Sequence, residues 1–302
     1  MVLGEMFMHN LKYFNKRKRR INMIRDYKQS DIDEIVKIYT LEYKAMPAEI
    51  ENLKSASKIL VYDDNGIKGF IHLVMGGGHC YVEMGAATDE LIIPVGLKLW
   101  EEAKKLFIER SINFIEVSHV KDNLTWQQLF NEIGFEYWYS VYRFSYEGAK
   151  FNEHNIRAVK YEDKYYEDKI RLESEAFSVL RRENDIKPYN WYLSASKEAI
   201  ENNRKATLEE KEYIYIFLEN NEIVGASMVK NAEIDLLFVN IKYQGKGYGK
   251  KILEFTINRG LEQNAAGVNL NALASNEKAL KLYKNIGFKV VQAQDARRLI
   301  IK

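Results

Sequence analysis

The chain has almost no cysteine and very little proline. Of its 302 residues, one is cysteine (Cys80) and three are proline. A single cysteine excludes an internal disulfide framework and is typical of a reducing compartment, so a cytoplasmic location is expected. The Cys80 thiol itself is expected to be a small buried apolar group. With 46% hydrophobic residues, the composition predicts a globular chain with a real core.

Histidine, net charge and long apolar runs are also scarce. The five histidines are spread thinly and none has metal-ligand spacing, so no metal is expected. A net charge of +2 gives no reason to expect a nucleic-acid partner. No apolar run approaches the roughly 20 residues of a membrane span, so no membrane contact is expected. The length favours two domains of about 150 residues over one.

Residues 1–22 form a basic N-terminal extension that ends in the run Lys16–Arg20. The charges follow the apolar part of this extension and Glu5 interrupts it, which is the wrong order for a secretory signal. We expect a solvated arm, with binding to nucleic acid or to a membrane surface as the alternatives. A further interpretation is that the natural chain begins at Met23, directly before the first predicted strand.

The most informative stretch begins with an apolar strand, Leu237–Val239, that runs into the glycine-rich segment Gln244–Lys250. Glycines at alternate positions allow positive φ and expose N–H groups at a helix start, where an anion is favoured. The segment therefore predicts a cradle for a pyrophosphate. The Walker pattern fails because Lys250 is followed by lysine, and the dinucleotide fingerprint fails on glycine spacing. The segment does satisfy Gln/Arg-x-x-Gly-x-Gly/Ala.

A second pattern follows downstream and predicts a capped helix. Asn276 is a good N-cap, with Ser275 as the alternative, and Gly287 is a natural C-terminal stop before Phe288. Apolar side chains recur at helical spacing between them, which predicts one buried face. These side chains are Ala279, Leu282, Tyr283 and Ile286.

Together these stretches, from about Ile234 to Val291, resemble the GNAT superfamily of acetyl-CoA-dependent N-acyltransferases. The resemblance implies an α/β fold with a mixed, mostly antiparallel sheet flanked by helices. It also implies transfer of an acetyl group from acetyl-CoA, as cosubstrate, to a primary amine by direct attack. The acceptor would be a small molecule or a peptide, which the sequence does not identify.

The resemblance assigns roles to individual residues. Tyr283 would protonate the leaving thiolate, and the N–H of Val239 would polarise the thioester carbonyl. The strand would line the pantetheine arm, the loop would hold the pyrophosphate, and Asn276 would contact CoA as well as, or instead of, capping its helix. The implied cofactor-binding residues are Leu237, Phe238, Val239, Gln244, Gly245, Lys246, Gly247, Tyr248, Gly249, Lys250, Asn276 and Tyr283.

The general base and the acceptor contacts stay open at this point. Glu233, six residues before Val239, is the implied base, but Asp235 shares its strand parity, and many relatives need no fixed base. The early helices of the second half would help to cover the acceptor. Candidate acceptor contacts, which are equally interpretable as packing aromatics, are Tyr189, Trp191, Tyr192 and Tyr213.

The two halves of the chain repeat each other at an offset of 153 positions, which places Asn123 and Gly134 over Asn276 and Gly287. We therefore expect two tandem GNAT-like domains: a degenerate copy over 23–146, a linker over 147–154 and the acetyl-CoA-binding domain over 155–302. In the first copy Pro94 aligns with Gly247 and lacks an N–H, and Phe130 replaces Tyr283. This copy is expected to be a structural partner, with acceptor binding as the alternative.

Other functions remain open from the sequence. The chain would be a CoA-binding regulatory or scaffold protein if catalysis has been lost, although Tyr283 and the intact loop favour an enzyme. Tandem amino-acid transferases of cell-wall precursors and a mycothiol-synthase-like arrangement also share the two-copy organisation. The oligomeric state is not predicted.

Overall fold

The computed structural model describes residues 23–43 and 58–301. The interpretations of the basic extension fall outside these residues. Within the described ranges, no helix has both the length and the apolar character needed to cross a bilayer. The described chain packs into two compact units. The first comprises the chain up to Tyr137 and the segment from Ala296, and the second is Trp138–Asp295. The domain ranges expected from the repeat stay a prediction.

The first unit is a mixed sheet with helices. Its strands follow the order β1-β2-β3-β4-β5, antiparallel except for the parallel pair β4 and β5. Aromatic residues of the helices fill its core, with Trp100, Phe107, Trp126 and Phe130 at most 4% exposed. The strands are β1 (Ile24–Asp26), β2 (Ile59–Asp63), β3 (Ile67–Gly76), β4 (His79–Ala86) and β5 (Phe114–Val120), and the helices are α1 (Ile32–Tyr43), α2 (Asp89–Glu109) and α3 (Leu124–Ile133).

The segment aligned with the glycine loop is helical in the first unit. The 153-residue offset lays residues 91–96 over the loop Gln244–Gly249 and so predicts a turn there, but helix α2 begins at Asp89 and includes Pro94. Acidic Asp89 and Glu90 occupy its first turn, where the helix dipole favours negative charge. The helix forms despite Pro94, which lacks an N–H, because Ile92 and Val95 are buried in the core of the unit.

The second unit repeats this order of elements around a sheet ordered β6-β11-β10-β9-β8-β7. Only β10 and β11 are parallel among the pairs that the described residues show in this unit. The strands are β6 (Glu136–Tyr146), β7 (Arg157–Lys160), β8 (Ile214–Glu219), β9 (Glu222–Lys230), β10 (Glu233–Val239), β11 (Val268–Leu273) and β12 (Lys289–Ile300). The helices are α4 (Tyr166–Glu183), α5 (Trp191–Ser194), α6 (Lys197–Glu209), α7 (Tyr248–Gln263) and α8 (Glu277–Ile286).

Strands β6 and β12 divide between the units. Residues 138–146 of β6 belong to the second unit, where Val141–Tyr146 pairs with β11. The last residues of β12 belong to the first unit, where the N–H of Ile301 donates to the carbonyl of Asn113 at 2.9 Å. Each unit therefore contains residues that sequence order alone assigns to the other half.

Local signals explain the helix ends. Asn123 accepts hydrogen bonds from the N–H groups of Thr125 and Trp126, and α3 stops at Gly134 with φ of 102°. In the second unit Asn276 caps α8, which stops at Gly287 with φ of 112°. Positive φ at a helix end costs glycine no Cβ clash, so the predicted caps and stops are both confirmed.

Candidate functional site

The site is built where β10 separates from β11. The recorded pairing of these parallel strands covers only Glu233 with Asn269 and Ile234 with Leu270. Beyond Ile234, β10 continues to Val239 along β9, while β11 continues along β6. After the separation, β10 is still paired with β9 on one edge, but the peptide groups of its other edge are no longer paired with β11. Such groups are the ones that an extended ligand can pair with.

A β-bulge between Ile234 and Leu236 marks the separation, with Asp235 as the extra residue. Ile234 packs with Leu253 of α7, whereas Phe238 packs with Tyr166 of α4. In a regular strand these two side chains, four positions apart, would share a face. The bulge thus reverses the alternation, and the parity that linked Glu233 to Asp235 and Val239 does not hold across it.

The loop after β10 ends in an uncapped helix start. Gly247 is the N-cap of α7, with φ of 85° and no side-chain cap. Because a residue with a Cβ rarely adopts this conformation, glycine is required here. A Cβ built on Gly245 or Gly247 would meet open space. The first N–H groups of α7 therefore point, with the helix dipole, to a place that nothing fills.

Side-chain hydrogen bonds also hold this loop in place. The sequence does not predict these contacts. Glu222 accepts hydrogen bonds from Nζ of Lys242 and from the hydroxyl of Tyr243, both at 2.6 Å. Asn240 donates from Nδ2 to the carbonyl of Ile223 at 2.9 Å. Nε2 of Gln244 donates to the carbonyl of Val239 at 3.1 Å. The loop is thus fastened to the start of β9 before any ligand binds.

Gly225, opposite Val239 on β9, brings two backbones close together. A Cβ at this position would lie 2.4 Å from the carbonyl oxygen of Phe238 and 2.7 Å from Cδ1 of Ile252. The carbonyl oxygen of Phe238 cannot move without displacing its strand, because it belongs to the backbone. Glycine is therefore required at this position by the close approach of the two strands.

Tyr283 lies on the buried face of α8 and is 8% exposed. Its ring meets Phe144 edge-on with centroids 5.6 Å apart, and Phe288 at 5.9 Å. Desolvation raises the pKa of Tyr283 to about 12. The phenol is therefore protonated at any physiological pH, which is the state that a proton donor needs.

The helices and the loop converge on β10. A Cβ on Gly249 would be 3.6 Å from both Leu282 of α8 and Val239 of β10. Oδ1 of Asn276 accepts from the N–H of Ala279 at 3.3 Å, so Asn276 does cap α8. The end of β10 thus lies close to the start of α7 and to the helix that carries Tyr283. The sequence predicts all three as parts of one site.

Glu233 is held by neighbouring strands. Its carboxylate accepts from Nη2 of Arg143 on β6 at 3.2 Å and from Nδ2 of Asn271 on β11 at 3.4 Å. The Arg143 and Glu233 side chains are only 14% and 21% exposed. A carboxylate that two donors already occupy is less available to take a proton from a substrate.

Asp235 is in a different environment at the bulge. Its side chain keeps access to solvent. Desolvation by the surrounding protein raises the pKa of Asp235, Lys230 opposes the rise and Glu210 adds to it. A carboxylate with a raised pKa accepts a proton more readily near neutral pH.

The four aromatic residues expected near the acceptor lie around α4 to β8. The hydroxyl of Tyr192 donates to Glu167 at 2.7 Å, and that of Tyr189 donates to Asp185 at 2.7 Å. Trp191 packs against the core beneath α4, and Nζ of Lys230 lies 5.2 Å from the ring centre of Tyr213. Each has a packing or hydrogen-bonding role of its own, and their role as acceptor contacts stays a prediction.

A metal site and an enclosed cavity are two other features that could carry chemistry. Among the described residues, no group of three or more His, Cys, Asp or Glu side chains is placed to hold a metal ion. A cavity of about 460 Å³ borders Tyr146, Gly287 and Lys289, and its lining includes neither the glycine loop nor Tyr283. The candidate site of the second unit is therefore at the separated strands and not in that cavity.

The comparisons with known proteins concern the same part of the chain. Residues 180–300 match the family model of an acetyltransferase (GNAT) domain. No curated protein matches the chain by sequence. The matched range contains the separated strands, the glycine loop and Tyr283.

Solved structures share the fold over most of the chain. A GCN5-related N-acetyltransferase from Sphaerobacter thermophilus superposes with a TM-score of 0.71 at 14% identity, covering 93% of this chain and 96% of that one. A tandem GNAT protein from the clavulanic acid biosynthesis pathway gives 0.60 at 12% identity, over 92% and 98% of the chains. A GNAT-family acetyltransferase from Colwellia psychrerythraea gives 0.57 at 14%, over 92% and 99%.

The fold is therefore the mixed α/β fold of the GNAT-type acyltransferases, as expected from the sequence. Residues 180–300 thus match a GNAT domain by sequence, and the chain as a whole shares its fold with solved GNAT structures.

Proposed function

We propose that the protein is an N-acetyltransferase that moves the acetyl group of acetyl-CoA to a primary amine by direct attack. The separation of β10 from β11 at the Asp235 bulge, ending at the uncapped start of α7, carries this proposal. Unpaired strand groups suit the amides of the pantetheine arm, and a helix start suits a pyrophosphate. The matched GNAT domain supports the same cosubstrate.

In this proposal each predicted residue has a defined task. The N–H groups of Gly245 to Lys250 hold the pyrophosphate, with Lys246 and Lys250 adding positive charge and Gln244 ordering the loop. Leu237, Phe238 and Val239 line the pantetheine arm, and the N–H of Val239 polarises the thioester carbonyl. Asn276 fixes the start of α8 next to the cofactor.

The reaction then balances without a metal. The amine must first lose a proton, because a lysine-like ammonium has a pKa of about 10.4. The neutral nitrogen attacks the carbonyl carbon, so that a C–N bond forms and the C–S bond breaks. Tyr283 gives its proton to the departing sulfur and recovers one from the nitrogen through solvent, leaving an amide and free CoA.

Glu233 and Asp235 remain the two candidate bases. The raised pKa and solvent access of Asp235 support it as the proton acceptor. The contacts of Glu233 with Arg143 and Asn271 support a positioning role for that carboxylate. Approximation of the bound amine and thioester supplies rate in either case.

We further propose that the first unit descends from a second GNAT copy that no longer holds CoA. Helix α2 covers the positions of the glycine loop, and its own start carries Asp89 and Glu90, whose negative charge disfavours a pyrophosphate there. Phe130 takes the place of Tyr283 and cannot donate a proton. The helix over the loop positions and the phenylalanine at position 130 both support a structural role for this unit.

Two measurements test the proposed function. Titration calorimetry of acetyl-CoA into the intact protein is expected to show one site per chain. Release of free CoA is then followed with a thiol reagent over a panel of amino acids, polyamines, amino sugars and peptides. Acetyl-CoA binding without turnover of any amine would favour a CoA-binding scaffold, and no binding at all would overturn the proposal.

A further inference from the structure

The last turn of α4 carries a half-buried cation, Arg181, which contacts the loop leading to the candidate acceptor contacts Tyr189 and Trp191. Its Nε donates to the carbonyl of Pro188 at 2.7 Å, and its Nη2 donates to that of Lys187 at 3.3 Å. Within the described chain, no carboxylate pairs with this guanidinium. A charge removed from water is normally matched by an opposite charge, since its desolvation is costly.

Three arginines of the second unit show the usual arrangement, whereas Arg157 and Arg182 have no carboxylate partner among the described residues but are exposed to water. Arg143 pairs with Glu233, Arg204 with Asp163, and Arg259 with Glu262. Arg181 differs because only neutral carbonyl oxygens hold it. Burial lowers the pKa of Arg181, with Tyr139 opposing the change, and the group nevertheless stays charged at neutral pH. Its uncompensated charge is therefore available to an anion.

Contacts at the end of α4 connect Arg181 to the catalytic region. Asn184, which directly follows α4, accepts from Nε1 of Trp138 through its carbonyl at 2.7 Å. Oδ1 of Asn184 accepts from the hydroxyl of Ser275 at 3.0 Å. Ser275 stands between the end of β11 and Asn276, the cap of the helix that carries Tyr283. The end of α4 is thus fastened to the segment next to the proposed CoA contact.

The carbonyl bonds also fix how the guanidinium is presented. Nε and Nη2 lie on one side of the planar group and are engaged by the loop after α4. Nη1 has no hydrogen bond recorded within the described residues and completes the fork that matches two oxygens of a carboxylate or phosphate. An arginine that the backbone has already ordered loses little further entropy when it binds such a group.

We propose that Arg181 binds an anionic group of the amine acceptor, a carboxylate or a phosphate, so that the preferred substrates are amines that carry a negative charge. This inference rests on the proposed acetyl transfer and adds the class of acceptor to it. Arg181 is a specificity residue here and takes no part in the proton transfers.

Matched acceptor pairs test the inference. One arm compares α-amino acids with their amides, and the other compares glucosamine 6-phosphate with glucosamine, so that carboxylate and phosphate are distinguished. In at least one arm, kcat/KM for the anionic member is expected to exceed that for its neutral partner by roughly 10- to 100-fold, the scale of one charged hydrogen-bonded contact. In the Arg181→Gln protein the preference is expected to disappear, with the neutral member little affected.

Two variants serve as controls. Arg182→Gln removes the neighbouring exposed arginine, which lies over Tyr189, and is expected to keep the preference. Arg181→Lys retains the positive charge but not the forked geometry of the guanidinium, and it is expected to keep part of the preference for the anionic member. Acetyl-CoA titration verifies that each variant is folded. A merely structural Arg181 would instead change thermal stability and affect both members of a pair alike.

The outcomes separate this inference from the proposed function. A protein that binds acetyl-CoA and acetylates amines without preferring the anionic members overturns the role of Arg181 only, as does a preference that survives in Arg181→Gln. If the protein binds acetyl-CoA but acetylates neither member of any pair, the proposed role of Arg181 is also overturned. Failure to bind acetyl-CoA overturns the proposed function itself.

Discussion

Nη2 of Arg143 lies 3.2 Å from Oε2 of Glu233, and the pair joins β6 to β10 across the intervening strand β11. Asn271 of β11 contributes a further hydrogen bond to the same carboxylate. Both charged side chains are mostly shielded from water, so the pair fixes the sheet just before the strands separate. Glu233 therefore has a structural task whatever its part in catalysis.

Glu233→Gln is expected to destabilise the protein by about 1–3 kcal/mol, because it leaves the Arg143 charge with a weaker partner. The melting temperature measured by calorimetry should fall, while kcat falls less than in Asp235→Asn. A variant with unchanged stability and a hundredfold loss of kcat would contradict this assignment and restore Glu233 as the base.

Asp235→Asn is expected to lower kcat by roughly 10²-fold, the lower end of general-base effects. Since the folded protein raises the pKa of Asp235, the wild-type rate should fall as pH decreases through that raised value. The variant should lack this acidic limb. A raised carboxyl pKa also means that ionisation costs stability above it, so the variant should be at least as stable at pH 7. A pH–rate profile identical to wild type would exclude Asp235.

Tyr283→Phe is expected to reduce kcat by roughly 10²-fold with acetyl-CoA affinity within about twofold. The ring still packs on Phe144 and Phe288, and only the hydroxyl is lost. Because the pKa of Tyr283 is raised to about 12, its ionisation should not limit the wild-type rate below about pH 10.

Tyr146→Phe is the matched control for Tyr283→Phe, since Tyr146 packs on the same Phe288 and its hydroxyl donates only to the carbonyl of Ala149 at 2.7 Å. Its kcat should be close to wild type. Full turnover by Tyr283→Phe would remove Tyr283 from the mechanism.

Gly247→Val is expected to abolish detectable acetyl-CoA binding in calorimetry, because φ of 85° is strained for a β-branched residue and the side chain would enter the space before α7. Gly134→Val matches the strain at φ of 102° in the first unit. Both should lose about 1–2 kcal/mol of stability, and only Gly247→Val should lose binding. Equal affinities in the two variants would move the pyrophosphate away from this loop.

Gly225→Ala is expected to destabilise the protein by about 1–3 kcal/mol through overpacking against Phe238 and Ile252. Gly76→Ala is its control, because a Cβ at Gly76 meets nothing within 4 Å, and it should change stability by less than about 0.5 kcal/mol. Thermal melts of the two variants measure the difference. Similar melting temperatures would mean that the strands relax around an added methyl group.

Short-range signals made much of this protein predictable. Asn276 and Gly287 mark the ends of α8 because capping and positive φ depend on the nearest residues alone. The same holds for the glycine segment, whose lack of side chains leaves the start of α7 open. The GNAT resemblance of the second half and the mixed α/β fold were predicted from these two stretches, and the matched domain and the shared fold confirm them.

Interactions between distant segments decided the rest. Residues 91–96 are helical with Ile92 and Val95 buried in the core and Gly96 packed against Leu129 of α3, contacts that the aligned loop does not make. The bulge at Asp235 reversed the strand parity, since pairing with β9 rather than local sequence sets the register. The ion pair of Glu233, the anchor at Glu222 and the division of β6 and β12 between the units each join residues far apart in the chain. Sequence determined the two ends of α8 and the position of the glycine segment, because these depend on neighbouring residues, and only tertiary packing decided that Glu233 is engaged by Arg143 and that Arg181 is held by carbonyl oxygens.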